Sequence, residues 1–225
     1  MFARILFSLL IAASVVPAQQ TIFDVPSGDI SVKGDWFYQH QTVARAWSPE
    51  RRWIQTNAFG YGIGFHTEID TTVFNTDAEH LSNTLGSIGF KSSLPIHGDE
   101  ARVPLKFVVG DLLTVGAEHH TGNWSYAMLQ ATAPRIHTRV IAGASAGTAA
   151  LFGRRTTGVL GGVEQPLTSR LTFQADWFSG KHDLAYAIPG LVYRFSRHWM
   201  ISAGYQLPNS KSPGYRAAVL ELTRF

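Results

Sequence analysis

Apolar and polar residues alternate along most of this chain in short runs. Leu171, Phe173, Ala175 and Trp177 share one face of a run whose other face carries Thr172, Gln174 and Asp176. A period of two predicts a half-buried strand. Trp199, Ile201, Ala203 and Tyr205 stand in the same way against Met200, Ser202, Gly204 and Gln206. Val140, Ala142, Ala144 and Ala146 oppose Arg139, Gly143, Ser145 and Gly147, and Ile69, Thr71 and Val73 oppose Glu68, Asp70 and Thr72. Nearer the start, Ile30, Val32, Trp36 and Tyr38 oppose Ser31, Lys33, Asp35 and Gln39. Breakers at 48–50, 97–99, 153–154, 180–181 and 208–210 mark bends. Between bends the pattern predicts twelve strands, at 29–46, 52–62, 66–75, 82–96, 103–115, 123–133, 138–150, 156–165, 170–179, 184–195, 198–207 and 213–225. In 52–62, 103–113, 156–165 and 184–195 apolar residues occupy both faces.

The bends have their own pattern. Those after even-numbered strands are mostly short, such as 63–65, 134–137, 166–169 and 196–197. Those after odd-numbered strands are longer or more polar, such as 76–81, 116–122 and 208–212. Even strand numbers, short periplasmic turns and longer outside loops belong to bacterial outer-membrane barrels. Aromatics gather near strand ends. Tyr61, Phe65, Tyr193, Phe195 and Trp199 flank short turns, and Trp47, Trp53, Trp124, Tyr126, Trp177, Phe178 and Tyr215 flank the longer loops. This predicts aromatic girdles at two membrane interfaces.

Residues 1–18 read as a secretory signal peptide: Arg4, an apolar stretch Ile5–Val16 interrupted by Ser8 and Ser14, and Val16 and Ala18 at the cleavage-site positions. Residues 19–28 then read as a periplasmic lead-in, and 29–225 as the barrel. Composition fits this division. The 225 residues are 45% hydrophobic and 16% charged, which excludes a disordered chain. No apolar run reaches the roughly 18 residues of a membrane helix. There is no cysteine, so neither disulfides nor thiolate metal sites arise. A net charge of +3, scattered along the chain, gives no reason to expect a nucleic-acid partner.

Alternation alone does not say which face is inside. A soluble barrel hides its apolar face, whereas a membrane barrel shows it to lipid. Signal peptide, girdles and strand lengths near the about 9–11 residues of a crossing strand favour the membrane. Ile30, Val32, Trp36, Leu171, Phe173, Trp177, Ile201 and Tyr205 would then face lipid. Lys33, Asp35, Glu68, Asp70, Lys91, Lys106, Arg139, Glu164 and Asp176 would line the lumen. The mixture of signs suits either an internal ion-pair network or a narrow, weakly selective pore. The chain ends in Leu220-Glu221-Leu222-Thr223-Arg224-Phe225. A terminal Phe on a last amphipathic strand resembles the signal read by the outer-membrane assembly machinery, although Phe225 is in phase with Glu221 and Thr223.

Thr56-Asn57-Ala58-Phe59-Gly60-Tyr61-Gly62-Ile63-Gly64, Gly86-Ser87-Ile88-Gly89-Phe90-Lys91, and Tyr193-Arg194-Phe195-Ser196 followed by Ala203-Gly204-Tyr205-Gln206 resemble segments of one group of outer-membrane barrels. These are the transporter-like barrels linked to the meta-pathway of phenol degradation. The resemblance implies a barrel passing small, often hydrophobic, compounds, and brings no catalytic residues. His80-Leu81-Ser82-Asn83 resembles the His-x-Ser-Asn segment of lipid A deacylases, in which a His activates a Ser nucleophile. Thr84 stands where those enzymes carry a small residue. Glu68, Asp70 or Glu79 would have to orient the His. His66 and His119-His120 are read as solvated loop residues, because adjacent strand residues point to opposite faces. No phosphate loop is present, since no helix follows Gly60-Tyr61-Gly62-Ile63-Gly64.

The sequence therefore predicts an all-β protein: a single antiparallel up-and-down transmembrane β-barrel of about twelve strands, monomeric, in a Gram-negative-type outer membrane. It would meet membrane lipid, lipopolysaccharide, the assembly machinery and small-molecule solutes, and need no cofactor or metal. Its expected role is a passive channel or a structural barrel. The alternatives are a lipid hydrolase using His80 and Ser82, and a soluble periplasmic barrel that binds a ligand.

Overall fold

The computed structural model describes residues 21–47, 51–75, 84–97, 103–116, 121–152, 156–181, 184–210 and 215–225. The elements run β1 (Thr21–Ile22), β2 (Val25–Pro26), β3 (Trp36–Arg45), β4 (Arg52–Gly64), β5 (Thr67–Asn75), β6 (Thr84–His97), β7 (Leu105–Gly116), β8 (Thr121–Thr132), β9 (Arg139–Gly147), the one-turn helix α1 (Ala149–Phe152), β10 (Thr157–Pro166), β11 (Leu171–Phe178), β12 (Tyr186–Arg194), β13 (Trp199–Pro208) and β14 (Ala217–Arg224). Strands β3 to β14 close into a twelve-stranded barrel in which each strand pairs with its sequence neighbours. The seam joins the last strand to the first antiparallel, with Ala218 opposite Ala44 and Arg224 opposite Tyr38. Closure leaves no free sheet edge.

Two ends can be told apart. At the turn end β3 begins and β14 finishes, and the connections are short. The tightest is Phe65-His66 between β4 and β5, where both residues take positive φ, 54° and 56°. Asn-Gly is the usual choice for such a turn. Here it is a Phe, and its ring is 92% exposed. The exception at this end is the seven-residue connection from β6 to β7, and most of the other longer connections lie at the loop end.

Alternation holds throughout the wall. On β14, Leu220 points outward while Val219, Glu221 and Thr223 are buried inside. Ile88, Leu113, Leu129, Val140, Val159, Phe173, Trp177, Ile201 and Tyr205 are likewise exposed on the outer face. Trp36 stacks on Phe59 at 5.7 Å with the Arg224 guanidinium 3.7 Å from its ring centre, at the turn end. Trp47 packs edge-on against Tyr205 at 5.9 Å, at the loop end. Trp124, Tyr126 and Phe178 depart from the girdle expectation. They share a strand face with inward Met128 or Gln174 and point into the barrel.

The largest departure precedes β3. The expected first strand over 29–46 is interrupted at Gly34, whose φ of +93° suits glycine. The chain reverses over Val32–Asp35, where the Asp35 N–H donates to the Val32 carbonyl. Wall strand β3 starts only at Trp36. Residues 21–31 turn back into the barrel as a short hairpin, β1 paired to β2. They are not a lead-in lying outside the wall. The signal-peptide segment 1–18 lies outside the described residues.

Candidate functional site

The hairpin enters from the turn end, and its tip, Phe23-Asp24, points towards the loop end. Three apolar side chains wedge it in place. Ile22 and Val25 pack with Val108, Tyr126, Met128, Ile141, Leu160 and Phe178. Phe23 packs with Val43, Tyr186, Ile188, Ala217 and Val219, on the side where Ile54 joins. All three hairpin residues are almost wholly buried. At about 1.5–3 kcal/mol for a fully buried side chain of this size, they are the main apolar anchor. Phe23 holds a φ of +50°, a conformation that a bulky residue rarely takes. Burial of its ring offsets that strain.

Polar contacts fix the tip. The Asp176 carboxylate, on β11, accepts the backbone N–H groups of Asp24 at 2.8 Å and Val25 at 2.9 Å. The Asp24 carboxylate accepts the Tyr186 hydroxyl at 2.7 Å and the Gln41 amide at 2.8 Å. Gln39 and Gln41 also donate to Glu221, each at 3.0 Å. Backbone groups that would be orphaned inside the barrel are thereby paired, as burial requires.

A second set holds the descending arm, low on the wall. Gly28 donates its N–H to Gln130 at 2.7 Å. Its carbonyl accepts the Ser93 hydroxyl at 2.7 Å and the Lys106 ammonium at 3.2 Å. The next residue, Asp29, pairs with Arg139 and lies 3.9 Å from Lys106. Arg139 also pairs with Glu164 of the wall. Where the arm leaves the barrel, the Ser31 N–H donates to Glu68 at 2.8 Å, and Glu68 binds Lys91 at 2.9 Å.

Glu68, Asp70, Lys91, Lys106, Arg139, Glu164 and Asp176 all project inward. Lys33 and Asp35 do not lie on a wall strand. They sit exposed in the turn that sends the hairpin inside. Ile30 and Val32 also precede the wall. A Cβ on inward-facing Gly62 would run into the backbone carbonyls of Ser31 and Val32, so the chain crosses the inner side of that strand. Trp36, Leu171, Phe173, Trp177, Ile201 and Tyr205 are on the outer face. Phe225 lies just past β14, its N–H bonded to the His198 carbonyl at 3.1 Å and its ring below Arg194. His80 and Ser82 lie outside the described residues, as do His119 and His120. Among the described residues no group of three or more His, Asp or Glu is placed to hold a metal ion.

Asp24, Asp29, Gln130, Tyr186 and Glu221 escaped the sequence reading. For Glu221, phase with Thr223 was the available signal. For Asp24 and Asp29 there was none, because nothing in an eleven-residue polar-apolar stretch says that it turns inward.

Comparison with solved structures gives a match to "KdgM porin in complex with disordered oligogalacturonate", with a TM-score of 0.56 over 84% of this chain and 98% of that one. The fold is that of a porin-like barrel. Sequence identity is 10%, so the likeness is one of architecture. No family model and no curated protein matches the chain, and the resemblance to the phenol-pathway barrels finds no family match.

Towards the loop end the interior of the barrel becomes aromatic. Trp124 lies 4.9 Å from Tyr126 and 5.8 Å from Phe178, and Phe178 lies 6.3 Å from Tyr186, centre to centre. The Trp124 indole N–H is buried there and has no hydrogen-bond partner among the described residues.

Proposed function

We propose that this chain is an outer-membrane channel for small polar solutes, with its own N-terminal hairpin as the plug. One observation carries the reading. The bore is filled by a segment tethered through one short turn, held by side-chain contacts and three apolar wedges, and not only by the wall's own side chains. Such a segment can leave without unpairing any barrel strand. The apolar outer face supports a bilayer setting, since a soluble barrel turns that face inward. In that setting the surroundings are lipid and lipopolysaccharide, insertion is the work of the assembly machinery with Phe225 as part of its signal, and the turn end is periplasmic. Each barrel encloses its own bore, so a monomer suffices. The porin of similar fold was bound to oligogalacturonate, and inward Lys106, Arg139, Gln130 and Ser93 suit polar, acidic solutes of that kind.

The aromatic lining of Trp124, Tyr126, Phe178 and Tyr186 favours a second reading, passage of small hydrophobic compounds. Conductance and solute flux test both. The full chain in planar bilayers should be mostly silent. A variant lacking residues 21–31 should conduct and should pass galacturonate into liposomes faster than phenol-sized aromatics. Silence of the deleted but folded barrel would leave only a structural role.

A further inference from the structure

We propose that Gly28 and Asp29 occupy a binding site for a small hydroxy-carboxylate, and that such a solute releases the plug by taking their place. The proposal rests on the channel reading and names the solute class and its site.

Four neighbouring wall strands build the site: Ser93 on β6, Lys106 on β7, Gln130 on β8 and Arg139 on β9. Each now engages the hairpin. Arg139 and Lys106 face the Asp29 carboxylate. Ser93 and Lys106 donate to the Gly28 carbonyl, and Gln130 accepts its N–H. The set reads three features in a fixed order: an anion, an oxygen acceptor and a donor. A carboxylate with a nearby hydroxyl and ring or carbonyl oxygen presents the same three. A neutral sugar lacks the anion, and a plain fatty acid lacks the rest.

Charge shows why the site does not collapse when the hairpin leaves. Low on the wall, Lys91 keeps Glu68 as partner with or without the hairpin. Arg139 keeps Glu164. Lys106 has Asp29 as its ion partner, so the emptied corner carries two cations against one carboxylate. A guanidinium offers five donors in a fixed fork, and Glu164 does not saturate it. An excess positive charge in a partly enclosed corner is costly unless an anion arrives. The tip region offers no such welcome, because Asp176 and Glu221 are carboxylates themselves.

The plug is a tethered competitor, and a short tether gives effective concentrations in about the millimolar range. The tether sets how rarely the bore is open without solute, and a solute that binds only the open barrel raises that fraction in proportion to its concentration over its Kd. Such a solute shifts the balance by its differential affinity for the open state.

The chain has no cysteine, so Val25→Cys supplies a single thiol, at a position with no exposure while the hairpin is docked. Its labelling by a maleimide, in the full chain folded in liposomes, reports hairpin release. D-glucuronate should accelerate labelling, by about tenfold at ten times its Kd, while glucose and sodium chloride at matched ionic strength should not. Asp29→Asn should raise labelling without solute. Arg139→Gln should abolish the glucuronate effect. If that variant does not fold, Lys106→Gln, at a more exposed position, should weaken the effect. Equal acceleration by glucuronate and chloride overturns the proposal, as does an undiminished effect in the variant that folds. Conductance of the barrel lacking 21–31 is read separately. Conduction without a glucuronate effect sinks this inference alone, and a glucuronate effect without conduction sinks the channel reading alone.

Discussion

A Cβ added to Gly204 would lie 2.6 Å from Cζ of Phe23. Glycine is needed at this point of β13 because the tip of the plug presses against the wall there. Cγ2 of Ile188, at 2.7 Å, and Cε1 of Phe23, at 2.9 Å, are also close, so the conflict is between side chains. Overpacking of this kind costs about 1–3 kcal/mol, and the docked hairpin is the part free to move. Gly204→Ala should therefore raise the open probability in single-channel recordings by about tenfold or more. Gly86→Ala, where nothing lies within 4 Å, should leave the recordings unchanged.

Glu68 and Lys91 form an ion pair whose side chains are 0% and 3% exposed. Removing one partner strands the other, at about 3–5 kcal/mol. Glu68→Gln should lower the urea midpoint of the folded barrel accordingly. The double variant Glu68→Gln, Lys91→Met should recover most of that loss, and a purely additive double variant would show that the pair is not coupled.

Ile88 stands on the outer face midway along β6, opposite Thr71 and Leu113. If that face meets hydrocarbon, Ile88→Arg costs about 2–4 kcal/mol of folding into bilayers. The readout is the folded fraction by heat-modifiable migration after refolding into liposomes. An unchanged yield would argue for water on that face.

A polar cluster interrupts the outer apolar surface on β3 and β4. The Asn57 side-chain oxygen accepts the Tyr38 hydroxyl at 2.8 Å and meets His40 Nδ1 at 2.9 Å, while His40 Nε2 meets the Thr42 hydroxyl at 3.1 Å. The Asn oxygen is an acceptor only, so His40 donates to it from Nδ1. His40→Leu removes the shared partner and should cost about 1–3 kcal/mol in barrel stability. Adding Asn57→Leu and Thr42→Val to that variant should restore part of it.

The wall was legible because lipid and sheet impose one rule, alternation, on every strand. All twelve wall strands lie where the pattern put them, to within a few residues apart from the first. The first failed because Ile30 and Val32 continue the alternation into a segment that Gly34 turns back. The runs with two apolar faces were legible as an anomaly without a cause. Ile54, Val108, Leu160 and Ile188 supply the cause: they are the inner lining against which Ile22, Phe23 and Val25 pack. Periodicity reports which residues share a face. It does not report that the far side of that face is occupied by another part of the same chain.

The hairpin leads directly into β3, and β3 is one lip of the seam that β14 closes. In order of synthesis the filling therefore precedes every stave of the wall. Strands β10 and β11, which touch β1 and β2, lie more than a hundred residues further along the chain. The staves and their filling thus belong to one continuous thread, joined at a single lip. A cut between the hairpin and β3 would empty the barrel and leave every stave in place.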